Sequence, residues 1–202
     1  MLTIACVLRS GGIFNPQWVQ RLQRNVARHA PEHEFVCLSD RSINGVKAIT
    51  LAHNWPRWWP IIEVFRPGLF KGRVIYFDLA NMIVGDISPL AEGVGFIIAA
   101  DPAIPGPQRY CSGVMAFDAD DNEIYEKFDP ASIKRLRGDQ DWIAELRPQA
   151  QNFKEGLVVS YKAQCKSIGE PTPGASVVLF HGIPKPPQAD PWVQERWNAD
   201  WQ

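Results

Sequence analysis

A chain of 202 residues with 46% hydrophobic and 21% charged residues has enough apolar material for one full core and too much for a disordered segment. Its net charge of −1 argues against a surface built for nucleic acid. The four scattered cysteines, with no Cys-x-x-Cys pair, fit reduced core residues of a cytoplasmic protein.

In chain order, residues 3–8 read as a first buried strand that runs into the loop Arg9-Ser10-Gly11-Gly12. The residues before that loop are too few for a signal peptide and lack a cationic start. Asn15 is a good N-cap and Pro16 suits the first helical position. The helix they open runs to about Ala30, with Trp18, Leu22 and Val26 at spacing four on one face, and Pro31 ends it. A second strand over 34–38 makes a parallel strand–helix–strand unit. Strand 46–51, helix 58–65 and strands 74–77, 82–84 and 96–100 follow. Residues 102–109 hold three prolines and a glycine and form a loop. A strand over 113–117, helices over 122–128 and 139–146, and strands over 157–160 and 177–180 complete the pattern. A Pro-rich loop (184–191) and a Trp-rich tail end the chain. With no internal repeat and no dividing linker, residues 1–202 read as one α/β domain, a mixed sheet flanked by helices. No apolar stretch approaches the ~18 residues that span a membrane.

Four stretches carry chemistry. The first is 74–88, where the apolar run 74–77 delivers Asp78 to a strand's C-terminal end and a second run, 82–84, follows at once. Ligands of open α/β sheets bind outside such ends. A carboxylate between two buried runs is either a turn residue capping its own backbone or is paired or metal-bound. The second is Phe180-His181-Gly182-Ile183-Pro184-Lys185. His181 is a structural residue or, with Lys185 beside it, part of a site where imidazole binds a divalent ion and lysine neutralises phosphate. In the third, Gly138-Asp139-Gln140-Asp141-Trp142, Asp139 reads as the N-cap of an amphipathic helix with Trp142, Ile143 and Leu146 inward. The fourth is Tyr110-Cys111-Ser112-Gly113. Of the eight tryptophans, Trp55, Trp58 and Trp59 cluster, and so do Trp192, Trp197 and Trp201. Most serve packing, and a minority suit a sugar platform.

Together these stretches resemble the retaining GT-A glycosyltransferases of family 8, the group of glycogenin and the bacterial lipopolysaccharide galactosyltransferases. The resemblance spans roughly residues 3 to 188, with the four motifs in the family's order. It implies a GT-A domain with a Rossmann-like mixed sheet, and a sugar moved with retention from a UDP-sugar donor to a glycan or lipid-linked acceptor. It further implies Mn²⁺ or Mg²⁺ held by Asp78, residue 80 and His181, with Ala80 standing where the second aspartate of Asp-x-Asp belongs. Val7, Leu8 and Arg9 would line the base pocket. Asp78, Ser112, Gly113, Gly182 and Lys185 would contact the donor, Lys185 through its diphosphate. Asp139 and Gln140 would reach the donor sugar and the reacting face. Cys111 replaces the family's asparagine, and 59–62 lacks the family's basic residue. Ala80 fits impaired activity, a non-catalytic donor-binding protein that has lost its ion, or a substitution introduced at that carboxylate. The place implied is cytoplasmic, or peripheral to a membrane.

Overall fold

The computed structural model describes residues 2–104 and 106–200. Its elements follow the apolar pattern closely. Strand β1 (Leu2–Leu8) is buried along nearly its whole length, as expected for a strand covered on both faces. Helix α1 (Pro16–His29) starts where the Asn15 side chain accepts from Gln17 N at 2.9 Å, and it ends with Arg28 and His29 in its last turn. Its inward face centres on Val19, Leu22 and Val26, with Trp18 at the margin. Strands β2 (Glu34–Ser39) and β3 (Lys47–Thr50) follow.

The segment expected as a helix over 58–65 is a 3₁₀ helix, Trp59–Phe65, buried throughout. Its Glu63 carboxylate accepts from the N–H groups of Ala52 (2.6 Å) and His53 (2.9 Å) and pairs with Arg66 at 2.9 Å. That pins the loop after β3. Next come β4 (Arg73–Phe77), β5 (Met82–Ile83), a one-turn helix α2 (Ser88–Ala91) and β6 (Ile97–Ala100). Strand β7 (Tyr110–Asp118) is longer than 113–117. The helical stretch 122–128 shrinks to α3 (Glu123–Glu126). Helices α4 (Ser132–Arg135) and α5 (Asp139–Leu146) precede β8 (Gln151–Asn152), β9 (Val158–Ser160) and β10 (Val177–Leu179).

The seven-stranded sheet has the order β3-β2-β1-β4-β7-β6-β8. Only β7 runs antiparallel to its neighbours. The C-terminal ends of the other six strands therefore share an edge with the start of β7. A small sheet, β5-β10-β9, lies beside it. Apolar clusters fill both faces of the large sheet, under α1 on one side and under the 3₁₀ helix and α5 on the other. A third cluster lies between the small sheet and the C-terminal segment.

The Trp-rich tail carries a further element. After the turn Pro186–Gln188 it forms helix α6 (Pro191–Ala199), opened by Asp190 and Pro191 and buried through Val193 and Trp197. Arg21, fully buried, lies 3.5 Å from the Trp197 ring centroid and 3.6 Å from Asp200. Trp201 lies outside the described residues. Burial lowers Arg21 to about 9 while Asp200 supports its charge. Arg21 also donates to the Asn81 carbonyl at 2.7 Å, tying α1 and α6 to the turn that follows β4. No helix among the described residues is long and apolar enough to cross a membrane. Cys6, Cys37, Cys111 and Cys165 are unpaired, and all but Cys111 are fully buried.

Candidate functional site at the carboxyl edge of the sheet

Strand β4 ends at Phe77, opposite Val114 of β7. Asp78 N then donates to Gly113 O at 2.9 Å, and Asn81 N closes a turn on Asp78 O at 3.0 Å. The Asp78 carboxyl accepts from the N–H groups of Leu79 and Ala80, so it does cap its own backbone. Burial pushes it above the ordinary carboxylate range, against the pull of Lys185. Because the strand stops at Phe77, its two-residue alternation does not carry on to residue 80. Leu79 enters the core under α1. Ala80 is fully buried in the third cluster, with Met82, Val178 and Phe180. The Asn81 side chain donates to Gly113 O and so faces β7.

Strand β10 brings Phe180 and His181 to the same region. Lys185 Nζ donates to Phe180 O at 3.0 Å, leaving its charge within reach of both Asp78 and His181. His181 Nε2 lies 2.9 Å from Ser160 Oγ. Burial lowers the imidazole pKa, and the charges of Lys162 and Lys185 add to the shift while Asp101 opposes it, so the ring is neutral at pH 7. Gly182 has φ of +64°, a left-handed conformation that favours glycine.

From β7, Gly113 packs so closely on β10 that a Cβ there would lie 3.1 Å from Leu179 Cδ2. Ser112 donates to the carboxyl of Asp139, which also accepts from its own N–H and that of Gln140. Gly138, not Asp139, is the N-cap of α5. Asp139 is the first helical residue, 3% exposed, and its Oδ2 has no hydrogen-bond partner among the described residues. Burial, with the nearby charge of Asp78, raises its pKa to about 7. Such a carboxyl can donate a hydrogen bond when protonated and stabilise a cation when ionised. Gln140 is half-buried at the next position. Burial holds Cys111 up at about 12, so it stays a thiol.

At the end of β1, Val7 and Leu8 point into the two core clusters. Their side chains therefore line no pocket, and only their backbone can face a ligand. Arg9 bonds the side chains of Asp40 (3.2 Å) and Asn54. Burial would raise Asp40, but the hydroxyl and N–H of Ser10 together with Arg9 hold it below the usual range.

The fold thus gathers Asp78, Ser112, Gly113, Asp139, His181 and Lys185, with Arg9 at the neighbouring strand end. Sequence reasoning missed Ser160 and the two partners of Arg9, Asp40 and Asn54, none of which stands in a recognisable pattern. A resident divalent ion does not fit these residues. Among the described residues no three His, Cys, Asp or Glu side chains come together in a group able to hold one. Asp78 is capped by backbone, the side chain of Ala80 offers no donor atom, and Nε2 of His181 is engaged by Ser160. Hard cations need several oxygen ligands.

Gly138 has extended backbone that any residue adopts, but it has no room for a side chain. A Cβ there would lie 2.3 Å from Trp58 Nε1. Gly138→Ala is therefore expected to displace the indole and break its bond to Arg137 O, at a cost of about 1–3 kcal/mol. Urea denaturation should show that loss in the wild-type background and a much smaller one beside Trp58→Ala.

No protein-family model and no curated protein matches the sequence. Solved structures do match it. The glycosyltransferase GlyE of Streptococcus pneumoniae TIGR4 superposes with a TM-score of 0.74 at 12% identity, over 100% of this chain and 61% of GlyE. The galactosyltransferase LgtC, in complex with donor and acceptor sugar analogues, gives 0.72 at 12% identity over 99% of this chain and 95% of LgtC. The bifunctional glycosyltransferase WbbM gives 0.62 at 11% identity over 100% and 52%. The fold is that of the GT-A glycosyltransferases. This chain spans under two thirds of the length of GlyE and about half that of WbbM, and at such identities the likeness speaks for the fold.

Proposed function

We propose that the chain is a retaining glycosyltransferase of the family 8 type, binding a UDP-sugar at the carboxyl edge and passing its sugar to a glycan or lipid-linked acceptor. One observation carries the reading: the ammonium of Lys185, Asp78 and the near-neutral carboxyl of Asp139 converge at one edge of a glycosyltransferase fold. Lys185 suits a diphosphate, because an ammonium is a point charge for phosphate. Asp139 and Gln140 suit the sugar, where positive charge develops in an oxocarbenium-like transition state. Arg9, Asp40 and Asn54 offer donors and acceptors to a base. The Mn²⁺ or Mg²⁺ implied by the resemblance would find Asp78 and His181 alone, and no step is assigned to it.

Calorimetry with UDP, GDP and ADP, each with and without Mn²⁺, tests the donor. UDP should bind best, and equal or absent binding of all three would sink the assignment. Lys185→Ala should weaken UDP about ten- to a hundredfold, as a lost charge-assisted contact of about 1.5–3 kcal/mol implies, while uridine is little affected. Equal loss for both ligands would make the lysine purely structural.

A second reading is a nucleotide-sugar-binding protein without catalysis, and the apolar surroundings of Ala80 favour it. Both readings predict UDP binding. Only the enzyme releases free UDP from a UDP-sugar, so a coupled UDP-release assay separates them.

A further inference from the structure

Of the three clustered tryptophans, two are used by the core. Trp59 is buried, and Trp55 stacks on His53 at 4.2 Å and meets the Phe128 ring edge-on at 4.7 Å. Trp58 is 47% exposed, yet it is held in place. Its Nε1 donates to Arg137 O at 3.2 Å, and the indole rests on the backbone of Gly138, whose missing side chain makes that approach possible. The preceding Arg57 has φ of 57°, a conformation uncommon for a residue with a side chain. A large, partly exposed aromatic ring is thus fixed one residue from Asp139, the carboxyl with an unpartnered buried oxygen.

We propose that Trp58 is the platform for a pyranose ring of the acceptor. The ring's C–H face would lie on the part of the indole left open beside the Arg57 guanidinium, which sits 5.9 Å from the ring centroid; the indole combines large apolar area with a rigid geometry, and the sugar hydroxyls would turn toward the N-terminus of α5. The order of groups supports this occupant. Lys185 and Asp139 are both within electrostatic reach of Asp78, and Gly138, on which the Trp58 indole rests, immediately precedes Asp139 in the chain. With donor sugar at Asp139, a ring on Trp58 would be its neighbour, because only Gly138 separates the indole from Asp139. Calling that sugar the acceptor depends on the transfer reading; the sugar platform itself does not.

Nitrogen-15 correlation spectra of the whole chain test the idea. The probes are methyl glycosides of glucose, galactose, mannose and N-acetylglucosamine at millimolar concentration, with and without UDP, and uridine separately. The Trp58 indole N–H is the peak lost in Trp58→Phe. At least one glycoside should shift that peak and the Gly138 amide, and Trp58→Ala should bind the same glycoside about tenfold more weakly, with Trp58→Phe in between. A dispersed spectrum certifies the fold of each variant. If no glycoside moves the Trp58 peak, or if Trp58→Ala binds it equally well, the platform is overturned. A shift produced by uridine in place of the glycosides also overturns it, assigning Trp58 to the base. UDP reports on the donor reading through peaks of its own. Glycoside shifts without UDP binding would leave the platform standing and the donor reading lost, and UDP binding without glycoside shifts would do the reverse.

Discussion

Asp139→Asn is expected to be more stable than the wild type above pH 7 and to flatten the loss of stability that the wild type suffers between about pH 4 and pH 7. The Asp139 carboxyl has a folded-state pKa of about 7, raised from 3.8 by burial and by the charge of Asp78. Over that interval the folded chain therefore holds a proton that the unfolded chain has released. Stability from this group is complete below the unfolded pKa and drains away as the pH rises through the folded one. A shift of this size corresponds to at most about 4 kcal/mol. The asparagine keeps the shape and an acceptor for the Gln140 N–H, but it has no charge to bury. Asp78 and Asp200 are raised as well and act in the same sense, so the slope of the variant should shrink and not vanish. Urea midpoints for both proteins across this range measure it. Parallel profiles would mean that Asp139 is ionised throughout and that its surroundings are wetter than the buried, unpartnered Oδ2 implies.

Much of this architecture is local and therefore legible in the sequence. Asn15 and Pro16 start α1 through contacts within three residues, and the apolar runs of β1, β2 and β4 need only burial to become strands. The places of Asp78, Asp139, His181 and Lys185 in the fold were legible to the same extent, because each follows or opens an element, while Ser112 lies inside β7. What escaped depends on partners far along the chain. Helix α6 was hidden because its anchor is Arg21, some 180 residues away from Asp200. The turn at 78–81 was legible as a gap between two strands, but the side to which each of its residues turns depends on the pairing of β4 with β7. That turn sends Ala80 inward and leaves Asn81 on Gly113. Trp58 and Gly138 stood in separate stretches, and only their close approach across the fold shows that the glycine serves the indole.

The turn at 78–81 also sets the second large effect. Ala80→Asp, the change that would restore an Asp-x-Asp pattern, is expected to destabilise the protein and not to create a metal centre. Residue 80 is fully buried against Met82, Val178 and Phe180. A carboxylate there loses its water and gains no hydrogen-bonding partner, which costs about 3 kcal/mol or more. In a chain of this size that lowers Tm by about 10 °C. Ala80→Asn introduces the same volume without the charge, so it separates crowding from desolvation and should fall between the wild type and Ala80→Asp. Melting curves of the three proteins in EDTA and in excess Mn²⁺ decide the point. An ion that binds only the folded chain raises Tm by mass action, so a true ligand at position 80 would have its loss repaired by Mn²⁺. We expect no such repair, because Asp78 is already capped by the N–H groups of Leu79 and residue 80, and His181 is held by Ser160. If Mn²⁺ does restore the melting temperature of Ala80→Asp alone, then residue 80 turns toward the cleft once it carries a carboxylate. The site would then be a metal centre lacking a single ligand.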